Sequence, residues 1–305
     1  MKFKFKTAQE YVNFLTKADE DYYLLGDSGI SDKQYDEIKD EFTARFPEHE
    51  YLKVVGAKVS SSELPKVKHE IKMGSQAKVN TPAELIDWHN KQVAKVGDKL
   101  SYVVSEKIDG FSLSLKYVQG KLVQALTRGD GIEGEDVTSN VKKMKQVPLK
   151  LKKNVDAVFR GEAVIFIEDF NEYFSDKANP RNAAAGVARR LDGERCEHLN
   201  FLCYDIIADS EHFDAEVEKL KYITSQGFVT PEYSECANEE EVIAYWESYE
   251  KGKRSQSKYE MDGLVVTINQ VEYQEELGII DQRPRYSRAF NFSAQIGSTT
   301  IEQVS

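Results

Sequence analysis

The sequence predicts an α+β fold: a small helical domain at the N-terminus, then a larger domain of mainly antiparallel sheets. Three observations predict it. Apolar residues recur at helical spacing over 7–46. From about residue 100, short apolar runs joined by turn residues take over. Strand and helix patterns then mix without strict alternation, unlike a doubly wound parallel sheet. The chain has 305 residues. That suits two domains of roughly 100–200 residues, each with its own core. The expected divisions are 1–62, 63–297 and a terminal piece at 298–305.

The first helix is expected over 7–25, with Tyr11, Phe14, Leu15, Tyr22 and Leu25 on one side. Thr7 and Glu10 form a capping box at its start. Gly-Asp-Ser-Gly at 26–29 breaks it. Ser31 caps a second helix over 32–46 that carries Tyr35, Ile38, Phe42 and Phe46 and stops at Pro47. The polar run Ser-Ser-Ser-Glu-Leu-Pro at 60–65 reads as the domain linker. Thr81 caps a third helix to about residue 95. Strands are expected at 100–105, 112–117, 122–127, 157–166, 201–207 and 263–268. Helices are expected at 168–178, 182–191, 214–225 and 239–251.

Composition narrows the function classes. No apolar run approaches the roughly 18 residues of a membrane span, and Met-Lys-Phe-Lys-Phe-Lys at 1–6 has no apolar core for a signal peptide. A cytoplasmic protein is expected. Cys196, Cys203 and Cys236 fit no metal-ligand spacing and read as reduced packing residues, so no protein-held metal site is expected. The formal net charge of −11 argues against a protein that coats DNA. One basic run, 140–153, packs six lysines into fourteen residues. It reads either as a solvated strand edge or as a DNA contact.

The chemistry centres on Glu-Lys-Ile-Asp-Gly at 106–110, where a strand meets a turn. Period-two alternation puts Lys107 and Asp109 on one face, and Gly110 permits the turn. A lysine in a pocket beside other cations loses basicity and becomes a nucleophile. This short pattern also describes a surface lysine at a hairpin. Further motifs follow it: Thr-Arg-Gly-Asp-Gly at 127–131, Arg-Gly-Glu at 160–162, Asn-Pro-Arg-Asn-Ala-Ala-Ala-Gly at 179–186 and Asp-Gly-Leu-Val-Val at 262–266.

In this order, the motifs resemble those of the NAD-dependent DNA ligases of bacteria and their viruses, from about Tyr11 onward. The resemblance implies an ATP-grasp-like nucleotidyltransferase core. Its nucleophile is Lys107, with Asp109 beside it, and it takes AMP from NAD and expels nicotinamide mononucleotide. The AMP then passes to the 5′-phosphate of nicked double-stranded DNA. Tyr22, Tyr23, Asp32, Tyr35 and Asp36 match the helical module that grips nicotinamide mononucleotide in this family. Nucleotide contacts are implied at Ser75, Gln76, Arg128, Arg181, Arg189 and Asp262. Glu162 is expected on the ribose hydroxyls and Tyr204 on the adenine face. Arg254 is a further match. Mg²⁺ is implied at the pyrophosphate, with few protein ligands. Residues 298–305 match the lead-in to an oligonucleotide-binding barrel. A fragment is therefore expected, or one subunit of a split enzyme whose second subunit carries the barrel.

Three positions depart from the family pattern. Its glutamate two residues before the nucleophile is Ser105 here, and Glu106 is the nearest carboxylate for adenine. On a strand, a shift of one residue turns it to the other face. Two lysines that bracket the nucleotide are Thr267 and Asn291. By analogy with single electrostatic groups, each absence costs about 10²–10³ in rate. Arg283, Arg285 and Arg288 lie near Asn291, but Arg288 is three residues away and falls on the opposite face of a strand. Two rival readings remain at this point: an RNA ligase-type nucleotidyltransferase, and an NAD-binding subunit without chemistry.

Overall fold

The computed structural model describes residues 5–24, 30, 32–53, 64–280 and 282–293, with the backbone alone at 19–24, 32, 33, 36, 50 and 53. Two helices come first, α1 (Ala8–Leu24) and α2 (Asp32–Arg45). The capping box forms as expected: Glu10 N donates to Thr7 Oγ1 at 3.3 Å and Thr7 N to Glu10 Oε2 at 3.4 Å. Tyr11, Leu15, Ile38 and Phe42 bury one another between the helices. Arg45 closes the pair by donating to Tyr11 Oη at 3.0 Å and Phe5 O at 3.1 Å. The Ser31 cap, the 26–29 break and the tail 298–305 lie outside the described residues, as does most of the 60–65 linker.

The rest of the chain runs β1 (Lys66–Lys68), β2 (Lys78–Val79), α3 (Pro82–Val96), β3 (Tyr102–Ile108), β4 (Phe111–Val118), β5 (Lys121–Thr127), β6 (Glu133–Glu135), α4 (Thr138–Val141), β7 (Ala157–Ile165), α5 (Ile167–Tyr173) and α6 (Pro180–Ala188). It continues β8 (Leu199–Ile207), α7 (Glu216–Ser225), β9 (Tyr233–Cys236), α8 (Glu239–Glu250), β10 (Met261–Ile268), α9 (Val271–Leu277), β11 (Ile279–Ile280), β12 (Arg283–Pro284) and β13 (Ser287–Asn291). Two sheets dominate: a five-stranded one ordered β2-β13-β10-β3-β9 and a four-stranded one ordered β5-β4-β7-β8. Their ladders are antiparallel except β13 with β2.

Alternation assigns each sheet two faces. In the four-stranded sheet Leu113, Leu115, Tyr117, Phe159 and Phe201 face inward with Ala184 and Val187 of α6 and Leu220 and Ile223 of α7. That leaves Ser112, Ser114, Lys116, Arg160 and Glu162 on the opposite face. In the five-stranded sheet Tyr102, Val104, Leu264, Val266 and Phe290 pack on Leu85 and Trp88 of α3 and on Trp246 and Tyr249 of α8. Phe290 and Trp246 stack with centroids 4.5 Å apart. Burying a side chain such as Phe290 stabilises by about 1.5–3 kcal/mol. The opposite face carries Ser105, Lys107, Val265, Thr267 and Asn291.

Several elements differ from the sequence expectation. β3 runs to Ile108, so Lys107 lies inside the strand. α6 starts earlier than 182 because the Asn179 side chain caps it, accepting from Asn182 N at 2.8 Å, and Pro180 is pre-set for a first helical position. α4, α9, β9, β13 and the short β1, β2, β6, β11 and β12 lie outside the sequence expectation. The three cysteines are buried free thiols. In the basic run, Lys145 pairs with Asp169 at 3.5 Å and Lys153 with Glu211 at 2.6 Å. Lys143 is bound to the carbonyls of Asp192 and Gly193. Among the described residues, no helix is long and apolar enough to cross a membrane.

Candidate active site

Lys107 projects from the five-stranded sheet's open face. Its register partner on β10 is Gly263, whose own partner on β13 is Asn291. A Cβ at Gly263 would lie 2.5 Å from Phe290 O, so only glycine lets β13 approach this closely. A bulge between Met261 and Gly263 frees Asp262 from the ladder. Its carboxylate takes the Lys107 ammonium at 2.7 and 2.5 Å. The charge in contact with Lys107 is thus a carboxylate. Asp109 lies past the strand end, where its N donates to Glu260 O at 2.9 Å and its carboxylate holds Arg181 at 2.7 Å. Gly110 serves a close approach, since a Cβ there would sit 2.8 Å from Val164 Cγ1.

Across from this face, β7 presents Arg160 and Glu162. Glu162 Oε1 accepts from Ser112 Oγ at 2.6 Å, while Oε2 is buried with no partner. Burial pushes the Glu162 carboxyl up to about 7, against the opposing pull of Ser112 and the charges of Arg181, Arg128 and Lys107. Those three cations and Glu162 thus form one electrostatic group. The β7–β8 ladder shifts register between Arg160 and Gly161, setting Tyr204 in a bulge. Burial raises the Tyr204 hydroxyl, and the charges of Glu162 and Arg160 act on it. Arg189 is held by buried Glu135 at 2.8 Å, with its guanidinium 4.8 Å from the Phe111 ring centre.

Residues 69–77 form a strap beside this group. Met73 N donates to Gly131 O at 3.0 Å, and His69 Nε2 lies 3.1 Å from Arg128 O. Arg160 Nη2 donates to Ile71 O and Lys72 O, both at 2.9 Å. The strap carries Ser75 and Gln76, and Gln76 Oε1 is buried without a partner. The clamping role of Arg160 was missed in the sequence. Arg160 lies in the Arg-Gly-Glu motif, but only its glutamate was given a role.

Two expected contacts are corrected. Glu106 is 7% exposed on the opposite face, where Tyr249 Oη donates to it at 3.0 Å and Tyr259 Oη also donates. The one-residue shift turns it away from the cleft. Thr267 sits four residues beyond Gly263, opposite Val103, about 13 Å along the strand. Its hydroxyl is bound to Ser287 Oγ at 3.0 Å and cannot span to Lys107. Asn291 shares the Lys107 row. Its Nδ2 donates to Asn80 Oδ1 at 3.1 Å, and its Oδ1 is buried without a partner. Arg288 lies on the other face, 5.4 Å from the Trp88 ring centre. Arg254 lies 5.1 Å from the Phe292 ring centre.

In the helical module, Tyr35 packs against the small core and its hydroxyl accepts from Lys39 at 3.4 Å. The side chains of Tyr22, Tyr23, Asp32 and Asp36 lie outside the described residues. Chemically, the cleft unites an amine, a carboxylate able to take its proton, an open buried carboxyl and two arginines.

Comparison with known proteins adds the following. Residues 61–295 match the NAD-dependent DNA ligase adenylation domain. A DNA ligase of Sorangium cellulosum is 34% identical over 302 residues, covering 92% of this chain and 44% of its own. One of Natranaerobius thermophilus is 35% identical, covering 93% and 45%. One of Thermosipho africanus is 37% identical, covering 89% and 44%. The chain spans less than half the length of these curated relatives.

Proposed function

The chain belongs to the NAD-dependent DNA ligase adenylation-domain family, and from that premise we propose that Lys107 takes AMP from NAD for later delivery to a nick. Asp262 first accepts the Lys107 proton. The neutral amine then attacks the adenylyl phosphorus. A nitrogen–phosphorus bond forms, the bond to the bridging oxygen breaks, and nicotinamide mononucleotide leaves with that oxygen. Arg128 and Arg181 neutralise the phosphate oxygens, and Glu162 Oε2 accepts from a ribose hydroxyl. Tyr204 covers the adenine face, and Ser75 and Gln76 close over the nucleotide from the strap. The buried, unpartnered oxygen of Glu162 beside three cations is the observation that carries this reading.

Residues 1–62 act as the module for nicotinamide mononucleotide, using Tyr22, Tyr23, Asp32, Tyr35 and Asp36. Residues 63–297 act as an ATP-grasp-like nucleotidyltransferase core, and 298–305 lead into a barrel. Passage of AMP to a 5′-phosphate and sealing by the 3′-hydroxyl are the later steps of the same reaction. Mg²⁺ is implied by the family. Among the described residues, no group of three or more His, Cys, Asp or Glu could hold a metal. Asp109 and Asp262 are also engaged by Arg181 and Lys107. These residues do not fit a protein-held ion. With Asn291 in place of a family lysine on the Lys107 row, adenylylation is slow.

Intact-mass spectrometry after incubation with NAD and Mg²⁺ tests the proposal. A gain of one adenylyl group is expected, slow in onset and absent in Lys107→Arg. An unchanged mass after prolonged incubation refutes it. Gain from ATP in place of NAD would favour an RNA ligase-type enzyme.

A further inference from the structure

The end of the cleft away from Lys107 holds a second charge group that the proposed reaction leaves unused. Arg160 and Asp205 are register partners across β7 and β8, with Nη1 and Oδ2 3.9 Å apart. Lys219 of α7 pairs with Glu216 at 2.9 Å, and Gln274 of α9 donates to Glu216 Oε2 at 3.0 Å. The charges of Lys219, Glu216 and Arg160 act on Asp205, and those of Asp205 and Lys219 act on Tyr286 just before β13. The group therefore links the two sheets.

Most of its members are committed. Arg160 holds two strap carbonyls, and Lys219 holds Glu216 and Gln274. Asp205 differs. Beyond the adjacent Ile206 amide and the long Arg160 contact, its carboxylate has no hydrogen-bond donor among the described residues. It is 31% exposed and directly follows Tyr204 in the bulge. Arg160, its partner, lies two residues along β7 from Glu162. That is about 7 Å on an extended strand, roughly the length of a purine ring system.

We infer that Asp205 reads the base of the bound nucleotide, accepting the exocyclic amine of adenine while Tyr204 covers the ring. The inference rests on the proposal that AMP occupies this cleft. Of the other described residues expected near the base, none presents a charge to the cleft. Ser105 and Thr267 carry hydroxyls, which donate or accept equally and so discriminate little. Glu106 faces the opposite side of its sheet. Burial raises the Asp205 carboxyl above its ordinary range, so a carboxylate there gains much from an N–H donor. Hypoxanthine presents a carbonyl at the same edge, setting acceptor against acceptor.

The test compares AMP with inosine monophosphate by calorimetry, and NAD with nicotinamide hypoxanthine dinucleotide as adenylyl donor by intact mass. The unaltered chain is expected to prefer the adenine form by about tenfold or more in both assays. Asp205→Asn can turn its amide toward the carbonyl, and is expected to erase or invert the preference. Asp205→Ala is expected to erase it. Equal binding of the two nucleotides by the unaltered chain overturns the inference, and needs no variant to fold. Equal loss of both nucleotides in the variants also overturns it, leaving Asp205 as a brace for Arg160. Binding with the adenine preference but no mass gain from NAD would refute self-adenylylation and leave base reading supported. No AMP binding at all refutes both.

Discussion

Asn291→Lys is expected to accelerate self-adenylylation by about 10²–10³, equivalent to about 2.7–4 kcal/mol of transition-state stabilisation. Asn291 shares a row with Gly263 and Lys107, two strand spacings from the nucleophile, or about 10 Å between Cα atoms. A lysine stem of about 6 Å, leaning across Gly263, brings its ammonium to the oxygens of a phosphorus above Lys107 Nζ. Gly263 has no side chain to obstruct it. The change gives up the Asn291–Asn80 hydrogen bond, about 0.5–1.5 kcal/mol, so the fold tolerates it. Thr267→Lys is the internal comparison. Its origin lies four residues along β10 from the Lys107 row, and its expected gain is below about tenfold. The assay is a quenched time course of adenylyl mass gain at saturating NAD, alongside thermal melting. A folded Asn291→Lys protein with the unaltered rate would refute the reasoning. So would a larger gain from Thr267→Lys.

Two more outcomes follow from buried carboxylates. Glu106→Ala strands the Tyr249 and Tyr259 hydroxyls beside α8. It should cost about 2–4 kcal/mol in denaturant unfolding while half-saturating NAD stays unchanged; a selective rise in the NAD requirement would return Glu106 to the cleft. Glu162 titrates near 7 when folded, against an ordinary 4.5, so the folded state keeps a proton that the unfolded chain has lost. Its contribution is therefore full below the ordinary range and declines as pH rises to about 7. Glu162→Gln should flatten the change in stability between about pH 5 and about pH 8, and an unaltered pH profile would contradict the assigned burial.

The helical pair was legible because its signals are local: a capping box at Thr7 and a 3.6-residue period through Tyr11, Leu15, Ile38 and Phe42. Strand identity was legible from alternation, and alternation also foretold that Glu106 and Arg288 leave the Lys107 face. What sequence spacing could not show is pairing between distant strands. That Asn291 shares the Lys107 row, while Thr267 stands four residues off it, depends on β13 lying against β10. The bulges that free Asp262 and Tyr204 are likewise properties of a ladder, set where two strands disagree in length. The Arg160 clamp joins residues almost ninety positions apart, beyond any local pattern.

The ion pairs around Lys107 determine which cations a substrate can recruit. Lys107, Arg181 and Arg189 are each held by a carboxylate, so a pyrophosphate must compete for them. Releasing Arg189 strands Glu135, whose side chain is 3% exposed and whose Oε1 already lacks a partner. Removing one partner of such a buried pair costs about 3–5 kcal/mol. Arg181 and Asp109 are each 26% exposed, so Asp109 regains water when Arg181 leaves. Asp262, 45% exposed, is better solvated still. On the proposed reading, Lys107 and Arg181 therefore turn to the substrate while Arg189 stays in place and holds the Phe111 wall. Of the three arginines expected to act alike, Arg189 then contributes shape. The phosphate is left with Arg128 and Arg181 beside the attacking amine, which is why a lysine at 291 adds a charge that neither Gly263 nor Asn291 on the Lys107 row supplies.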